Sequence, residues 1–293
     1  MKTICLQESS HIQFQIRQIG AGGNGGYFFR NLLQLISSYQ ANDSKTKDRF
    51  DVLIADGDLV EKKNLKNQLF SEEDISDKKV IALSDRYGGH YDVETKRVTE
   101  YITTTDMLRR LFPTVTNGRQ VIPVLVGMID NDRTRQLFDE FFFSEEVTDL
   151  VWIDLGIEGM TTFDDPNQEQ LKIMNESGFG GQCVIGLKWK GSVILPPVTR
   201  VYPNILDNDR TSFPGQSCGE LLPENPQRIM TNQFAAQVAS MVMNNLFHTK
   251  SIYANVINFN AQFGQMKATF LSADQVGEFE KARGLVTAGG EKE

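Results

Sequence analysis

The segment Gln18-Ile19-Gly20-Ala21-Gly22-Gly23-Asn24-Gly25-Gly26 lies between an apolar run and a stretch of helical periodicity. Val52-Leu53-Ile54-Ala55-Asp56-Gly57-Asp58 follows it. The pattern reads as strand, glycine turn, helix, strand and acidic tip. Glycines let a backbone turn tightly and approach phosphates. The helix behind them offers unpaired N–H groups and a positive dipole end to an anion. An acidic residue at the end of the second strand accepts hydrogen bonds from a ribose. A glycine turn alone is weak, because it also serves packing. With the right flanks and the acidic partner it predicts the front half of a nucleotide-binding α/β sheet.

A first strand is predicted over 14–19, with Gln13, Gln15 and Arg17 as polar alternates. Phe28, Leu32, Leu33, Leu35 and Ile36 then predict a helix over 26–39. Apolar runs at 50–55, 121–126 and 150–154 read as strands, with another at 93–98. Helices are predicted over 77–87, 105–112 and 131–142. Such alternation gives a mostly parallel sheet with helices on both faces. After Gly156 the texture changes. Residues 164–181 are polar and glycine-bearing and read as a mobile loop. Residues 183–187 and 192–195 read as a hairpin turning near Lys190-Gly191, and 200–224 as irregular chain. A long helix over 226–247 and two antiparallel strands, 253–259 and 266–271, follow. Residues 284–293 read as a disordered tail.

The net charge of −8 argues against a general nucleic-acid binder, since counterion release needs clustered Lys and Arg. No apolar run approaches a membrane span. No basic region followed by an apolar stretch opens the chain, so a cytoplasmic protein is expected. Cys5, Cys183 and Cys218 lie far apart, with no Cys-x-x-Cys pair, so no zinc is expected. Cys183 reads as a packing residue, Phe141-Phe142-Phe143 as core, and His11, His90 and His248 as surface residues.

Beyond Asp58 come Asn64-Leu65-Lys66-Asn67-Gln68, then Asp74-Ile75-Ser76-Asp77-Lys78-Lys79, and later Asp130-Asn131. Together with Gly20/Gly22/Gly23/Gly25 and Asp56/Asp58, these blocks resemble the ThiF/MoeB/HesA superfamily, the adenylating domain of ubiquitin-activating enzymes. The superfamily pattern is Gly-x-Gly-Gly-x-Gly, Asp-x-Asp, Asn-Leu-x-Arg-Gln, Asp-x-Gly-x-x-Lys and Asp-Asn. Order and spacing agree over residues 14 to 155. A dehydrogenase has no reason to match the later blocks. Ser217-Cys218-Gly219 and the helix from Pro226 resemble the back half of bacterial members more weakly.

The resemblance implies a Rossmann-like α/β fold in one domain over 1–283. Residues 14–155 would form the nucleotide-binding half and 156–283 the substrate-tail and dimer half. It also implies ATP and magnesium as cofactors and a homodimer. The partner would be a ubiquitin-like or sulfur-carrier protein with a C-terminal glycine tail, whose carboxylate attacks the α-phosphate of ATP. On this basis Gly20, Gly22, Gly23 and Gly25 cradle the nucleotide, Asp56 holds the ribose, and Asp58 and Gln68 stand beside it. Lys79 would neutralise phosphate charge and Asp130 would bind magnesium. Asn64 would orient phosphate or carboxylate, and Asn131 would contact the adenine. Cys218 is a thioester candidate or the remnant of a zinc-binding stretch.

Two departures stand out. Asn67 occupies the family's arginine position and cannot supply a cationic fork to the triphosphate. Lys66, Lys63 or a dimer partner's arginine would have to substitute. Otherwise the chain is a weakened enzyme, an engineered variant, or a nucleotide-binding scaffold that no longer adenylates. Ser76 replaces the glycine of Asp-x-Gly-x-x-Lys. An NAD-dependent oxidoreductase is the third reading, carried by the glycine turn alone. The blander alternatives make Asp130 the N-cap of a helix starting at Asn131, Lys79 a solvated lysine, and Asp154 a turn or helix-cap residue.

Overall fold

The computed structural model describes residues 1–42, 48–115, 117–208, 213 and 226–284. The first strands are β1 (Ile4–Cys5), β2 (Ile12–Ile19), β3 (Arg49–Ala55), β4 (Thr95–Val98), β5 (Gln120–Gly127) and β6 (Leu150–Ile157). They are followed by β7 (Gly180–Trp189), β8 (Ser192–Leu195), β9 (Ser251–Ile252), β10 (Ala254–Asn260) and β11 (Gln265–Phe270). The helices of the first half are α1 (Gly23–Asn42), α2 (Lys79–Leu83), α3 (Gly89–Tyr91), α4 (Thr105–Leu111) and α5 (Asp132–Phe143). Those of the second half are α6 (Gln168–Glu176), α7 (Val198–Val201), α8 (Ile229–Thr249) and α9 (Ala273–Arg283).

The main sheet runs β11-β10-β7-β6-β5-β2-β3-β4, with β8 pairing β7. From β6 to β4 every pairing is parallel; β7, β8, β10 and β11 join antiparallel. This is the Rossmann-like α/β architecture expected, with antiparallel strands added by the C-terminal part. The chain builds outward from β2 to β3 and β4, then returns to add β5 and β6 on the other side. The strand order therefore reverses at β2/β5, where open α/β sheets bind their ligands.

Helices cover both faces. Phe28, Leu32 and Ile36 of α1 and Ala235, Val242 and Leu246 of α8 are buried in one core. Leu108 of α4 and Leu137, Phe138 and Phe142 of α5 are buried in the other. Helices α1 and α8 run parallel and in register. Gly23 meets Asn232, Asn31 Nδ2 donates to Ser240 Oγ at 3.2 Å, and the rings of Tyr39 and His248 lie 5.1 Å apart. Both N-termini therefore point to the same edge of the sheet.

A sheet covered on both faces overturns the alternation read in β2. Gln15 and Arg17 are buried. Arg17 donates to Leu111 O, the end of α4, and to Asp51 O at 2.7 Å, and pairs with Asp51 Oδ2 at 2.6 Å. Lys96 closes the second carboxylate oxygen at 2.7 Å. Burial alone would raise the Asp51 carboxyl; the bonds and charges of Arg17 and Lys96 hold it below its ordinary value of 3.8.

Other expectations shift locally. Residues 164–181, read as a loop, contain α6 and the start of β7. The helix expected over 77–87 narrows to α2 and continues through a π-type turn into α3. Helix α8 begins at Ile229 rather than Pro226. Strands β1 and β9 and helix α9 had no counterpart in the sequence reading. The hairpin turn stands where expected, with Lys190 and Gly191 at φ 48° and 81°. Phe141 and Phe142 are core, but Phe143 is exposed beneath the Arg200 guanidinium, 4.4 Å from the ring centroid. Gly284 caps α9; the remainder of the expected tail, 285–293, lies outside the described residues. Among the described residues no helix is long and apolar enough to cross a membrane.

Breaking the Arg17–Asp51 pair leaves an under-compensated buried charge. Arg17→Leu should lower the unfolding free energy by about 3–5 kcal/mol in urea titration. A depressed native pKa stabilises fully above the unfolded value and is lost as pH falls through the native one. The Asp51 share of stability should therefore fade below pH 3.8 and be missing at all pH values in Asp51→Asn.

Candidate active site

At the C-terminal edge of the parallel strands the loops enclose a cleft of about 800 Å³. The glycine turn forms part of its lining. Gly20 sits at φ 104°, where a Cβ would collide with the Met128 carbonyl; at Gly25 a Cβ would collide with the Gly20 carbonyl. Both glycines permit backbone crossings. Gly22 and Gly23 form cleft wall, and a Cβ at Gly22 would meet nothing within 4 Å. Gly25 is not among the residues of that wall; its closeness to the Gly20 carbonyl is a packing requirement. Gln18 holds the turn from below, its Nε2 donating to Gly20 O at 2.9 Å and Gly25 O at 2.8 Å.

Asp56 ties this turn to β3. Its carboxylate accepts from the Ala21 amide at 2.6 Å and from the Asp58 amide at 2.8 Å. Burial, helped by the charge of Asp58, pushes the Asp56 carboxyl up. Asp58 receives Lys79 Nζ at 2.7 Å and the Tyr101 hydroxyl. Burial works against its charge, but Lys79 and Tyr101 hold it below the ordinary carboxylate range. Lys79 is therefore buried and paired, not solvated. The segment carrying it is stitched to the strand tip by Val60 N to Asp77 O at 2.8 Å and Ser76 N to Val60 O at 3.0 Å. Ser76 stands at φ 77°, which explains physically why a glycine suits that position. Asp74 is structural: it caps a short turn through Ser71 and pairs Arg86 at 2.5 Å.

The segment 62–66 is a 3₁₀ turn in which Asn64 Oδ1 accepts from the Glu61 amide at 2.8 Å. Asn64, Asn67, Gln68, Lys63 and Lys66 face the cleft. Asn67 Oδ1 and Gln68 Oε1 are buried without a hydrogen-bond partner among the described residues. Across the cleft, Asn131 and not Asp130 is the N-cap of α5, its Oδ1 accepting from the Thr134 amide at 2.9 Å. Asn131 Nδ2 is buried without a partner among the described residues. Asp130 lines the cleft with its side chain exposed.

Arg135 and Tyr101 escaped the sequence reading. Arg135 Nε donates to Asp154 at 2.9 Å, and Nη2 to Ile129 O at 2.9 Å and Leu155 O at 3.0 Å. Burial opposes its charge, yet Asp154 holds the guanidinium above its ordinary value. Asp154 is thus an interior ion-pair partner within β6, not a turn or cap. Arg135 was discoverable: it lies one helical turn beyond Asn131, on the same face. Tyr101, in an irregular loop, left no pattern. Cys218 lies outside the described residues. Cys183 is fully buried and burial pushes its thiol up; His90 and His248 are exposed and His11 is half-buried.

The cleft thus holds open glycine backbone, amide groups awaiting partners, and the acids Asp56 and Asp130. That set suits a nucleotide. Magnesium keeps several waters and takes one or two carboxylates plus phosphates, so Asp130 beside a phosphate chain fits it.

No protein-family model and no curated protein matches the sequence. Among solved structures, the fold is similar to that of PaaA, at 13% identity and TM-score 0.52, over 89% of this chain and 65% of that one. It is similar to E. coli MccB solved with AMPCPP and MccA, at 14% and 0.51, over 88% and 63%. E. coli MccB solved with ATP gives 12% and 0.50, over 88% and 64%. The chain spans less than two thirds of the length of these proteins. What it shares with them is the fold.

Gly25→Ala should lower stability by at least about 2 kcal/mol through its backbone clash, whereas Gly22→Ala should leave the melting temperature unchanged. Ser76→Gly should raise stability by about 1 kcal/mol by relieving a left-handed residue. Denaturant titration of the three variants checks all of these.

Proposed function

We propose that this chain binds ATP and magnesium in the cleft and adenylates the C-terminal carboxylate of a peptide or small protein. The finer reading is a ubiquitin-like or sulfur-carrier partner with a glycine tail, a homodimeric assembly and a cytoplasmic location. One observation carries it: the blocks Gly20/Gly22/Gly23, Asp56/Asp58, Asn64/Gln68, Lys79 and Asp130-Asn131, far apart in sequence, line one cleft. That E. coli MccB has been solved with ATP and with AMPCPP and MccA supports the same chemistry.

A carboxylate oxygen would attack the α-phosphorus. The bond to the oxygen bridging the α- and β-phosphates breaks, and pyrophosphate leaves with its electrons. Negative charge grows on the leaving group, so positioning and fixed cations do most of the work. Lys79 and Arg135 are the buried cations here, each already partnered by an acid. Lys63 pairs Glu61 at 3.3 Å. Lys66 lines the cleft in no ion pair among the described residues, and is the natural substitute for the arginine absent at Asn67. Asp130 would hold magnesium, Asp56 the ribose, Asn64 the reacting phosphate or carboxylate, and Asn131 Nδ2 a nucleotide acceptor. Asn67 favours a second reading, a nucleotide-dependent scaffold without turnover.

Calorimetric titration should show ATP with magnesium binding better than NAD; NAD binding with no ATP signal would sink the proposal. Because Asn131 is the cap, Asp130→Ala should change stability by no more than about 0.5 kcal/mol while abolishing pyrophosphate exchange. EDTA should do the same to the native protein. With a carrier-tail peptide, Asn67→Arg should raise exchange at least about tenfold, as an added transition-state cation would. A brisk native rate lowered by that change would point to Lys66, and Lys66→Ala would then be the slow variant.

A further inference from the structure

Tyr101 lies on the irregular loop between β4 and α4 and lines the cleft, flanked by Glu100 and Ile102, which line it too. Two contacts fix it. A Cβ at Gly57 would stand 2.7 Å from the tyrosine's Cδ2 and Cγ and 2.8 Å from its Cδ1. The ring therefore rests directly on the glycine between Asp56 and Asp58, and a side chain there would displace it. The hydroxyl donates to Asp58 Oδ1. Lys78 clamps the same glycine by its carbonyl, with Nζ donating to Gly57 O at 2.5 Å.

The two oxygens of Asp58 thus serve two donors. Oδ1 takes the Tyr101 hydroxyl and Oδ2 takes Lys79 Nζ at 2.7 Å. The lysine side chain is 7% exposed, but that of Asp58 is 41% exposed. A carboxylate that open has several rotamers available, and Lys63, on the cleft wall, is a second cation acting on it. Tyr101 removes that freedom. With Oδ1 tied to a ring seated on backbone, Oδ2 is left facing Lys79. An ammonium has three donors. Asp58 accepts the single hydrogen bond that Lys79 Nζ makes among the described residues, so two N–H groups remain for an acceptor in the cleft.

We infer that Tyr101 is a positioning residue acting through Asp58: it holds the carboxylate in the one orientation that aims the Lys79 ammonium into the cleft, at the phosphates of the nucleotide. The inference rests on the nucleotide reading above and adds to it the group that places its buried lysine. In this role the tyrosine does not touch the reacting atoms. Its hydrogen bond to a carboxylate is charge-assisted. The lysine is then in place before charge develops on the leaving group, which is when a fixed cation lowers the barrier.

The test compares the native chain with Tyr101→Phe, Asp58→Ala and the double variant, in pyrophosphate exchange with a carrier-tail peptide. Tyr101→Phe keeps the ring and deletes only the hydroxyl. It should lower the rate at saturating ATP about tenfold and leave the KM for ATP within about twofold, because a misaimed cation costs the transition state more than the ground state. In the Asp58→Ala background the same change should cost less than about twofold, since the carboxylate it acts through is gone. Equal losses in both backgrounds, a loss confined to KM, or a faster Tyr101→Phe variant would overturn the inference. A second readout needs no nucleotide: the rate of reductive methylation of Lys79 in the ligand-free chain, followed by mass spectrometry. Tyr101→Phe and Asp58→Ala should each speed that labelling at least about threefold, as a lysine loosened from its acid binds its proton less tightly. Unchanged labelling in Tyr101→Phe would overturn the role of Tyr101. A native chain that neither binds nor exchanges nucleotide, but whose Lys79 labelling responds to both variants, would uphold that role and remove the nucleotide reading instead.

Discussion

The crossing of Gly20 over the Met128 carbonyl is the constraint on which the functional end of the molecule depends. It occurs where the strand order reverses, between β2 and its parallel neighbour β5. Ile19 aligns with Ala55 on one side and with Gly127 on the other, so the loops after three strands emerge at one level. Only a glycine lets two of those loops touch at backbone distance. That contact aims α1, and α8 follows by parallel packing. The cleft is what remains between loops held that close.

Charge inside the cleft is organised as pairs. Asp58 holds Lys79, Asp154 holds Arg135, and Asp56 is occupied by two backbone amides. Each pair fixes a side chain that would otherwise have many rotamers. Such fixed groups need little rearrangement when charge develops, which is the condition for electrostatic catalysis. Pairing also sets a limit. A cation already matched by an acid offers an incoming phosphate less than a free one, which makes the exposed lysines of the 62–66 turn relevant.

Unpaired buried amides gather around the same space. Asn67, Gln68, Asn131 and Asn232 each keep a polar atom without a partner among the described residues. Away from the cleft, Arg17 reaches a helix end and Lys188 Nζ donates to Phe142 O and Ser144 O at the end of α5, while Ser84 Oγ and Trp189 Nε1 also lack partners among the described residues. Three of the amides, Asn67, Gln68 and Asn131, line the cleft, where a ligand would supply partners.

The sequence by itself determined the alternation that builds the sheet and named the cleft residues of the glycine turn, the 56–79 segment and Asp130-Asn131. Apolar runs of strand length alternating with helical periodicity admit few packings, and a parallel sheet delivers every strand end to one edge. Gly20, Asp56 and Asp130 could therefore be placed from strand ends alone. Periodicity could not tell which polar residues turn inward, because a strand covered on both faces has no outward side; hence Arg17, Gln15 and Asp154 were misread. Nor could local pattern find Tyr101 on an irregular loop, decide between Asp130 and Asn131 as the cap, or divide the glycines into those that pack and those that line. Only the tertiary structure decided those points, together with the meeting of Asn232 and Gly23. Each is a contact between segments distant in the chain, and such contacts are fixed by packing of the whole rather than by any residue's neighbours in sequence.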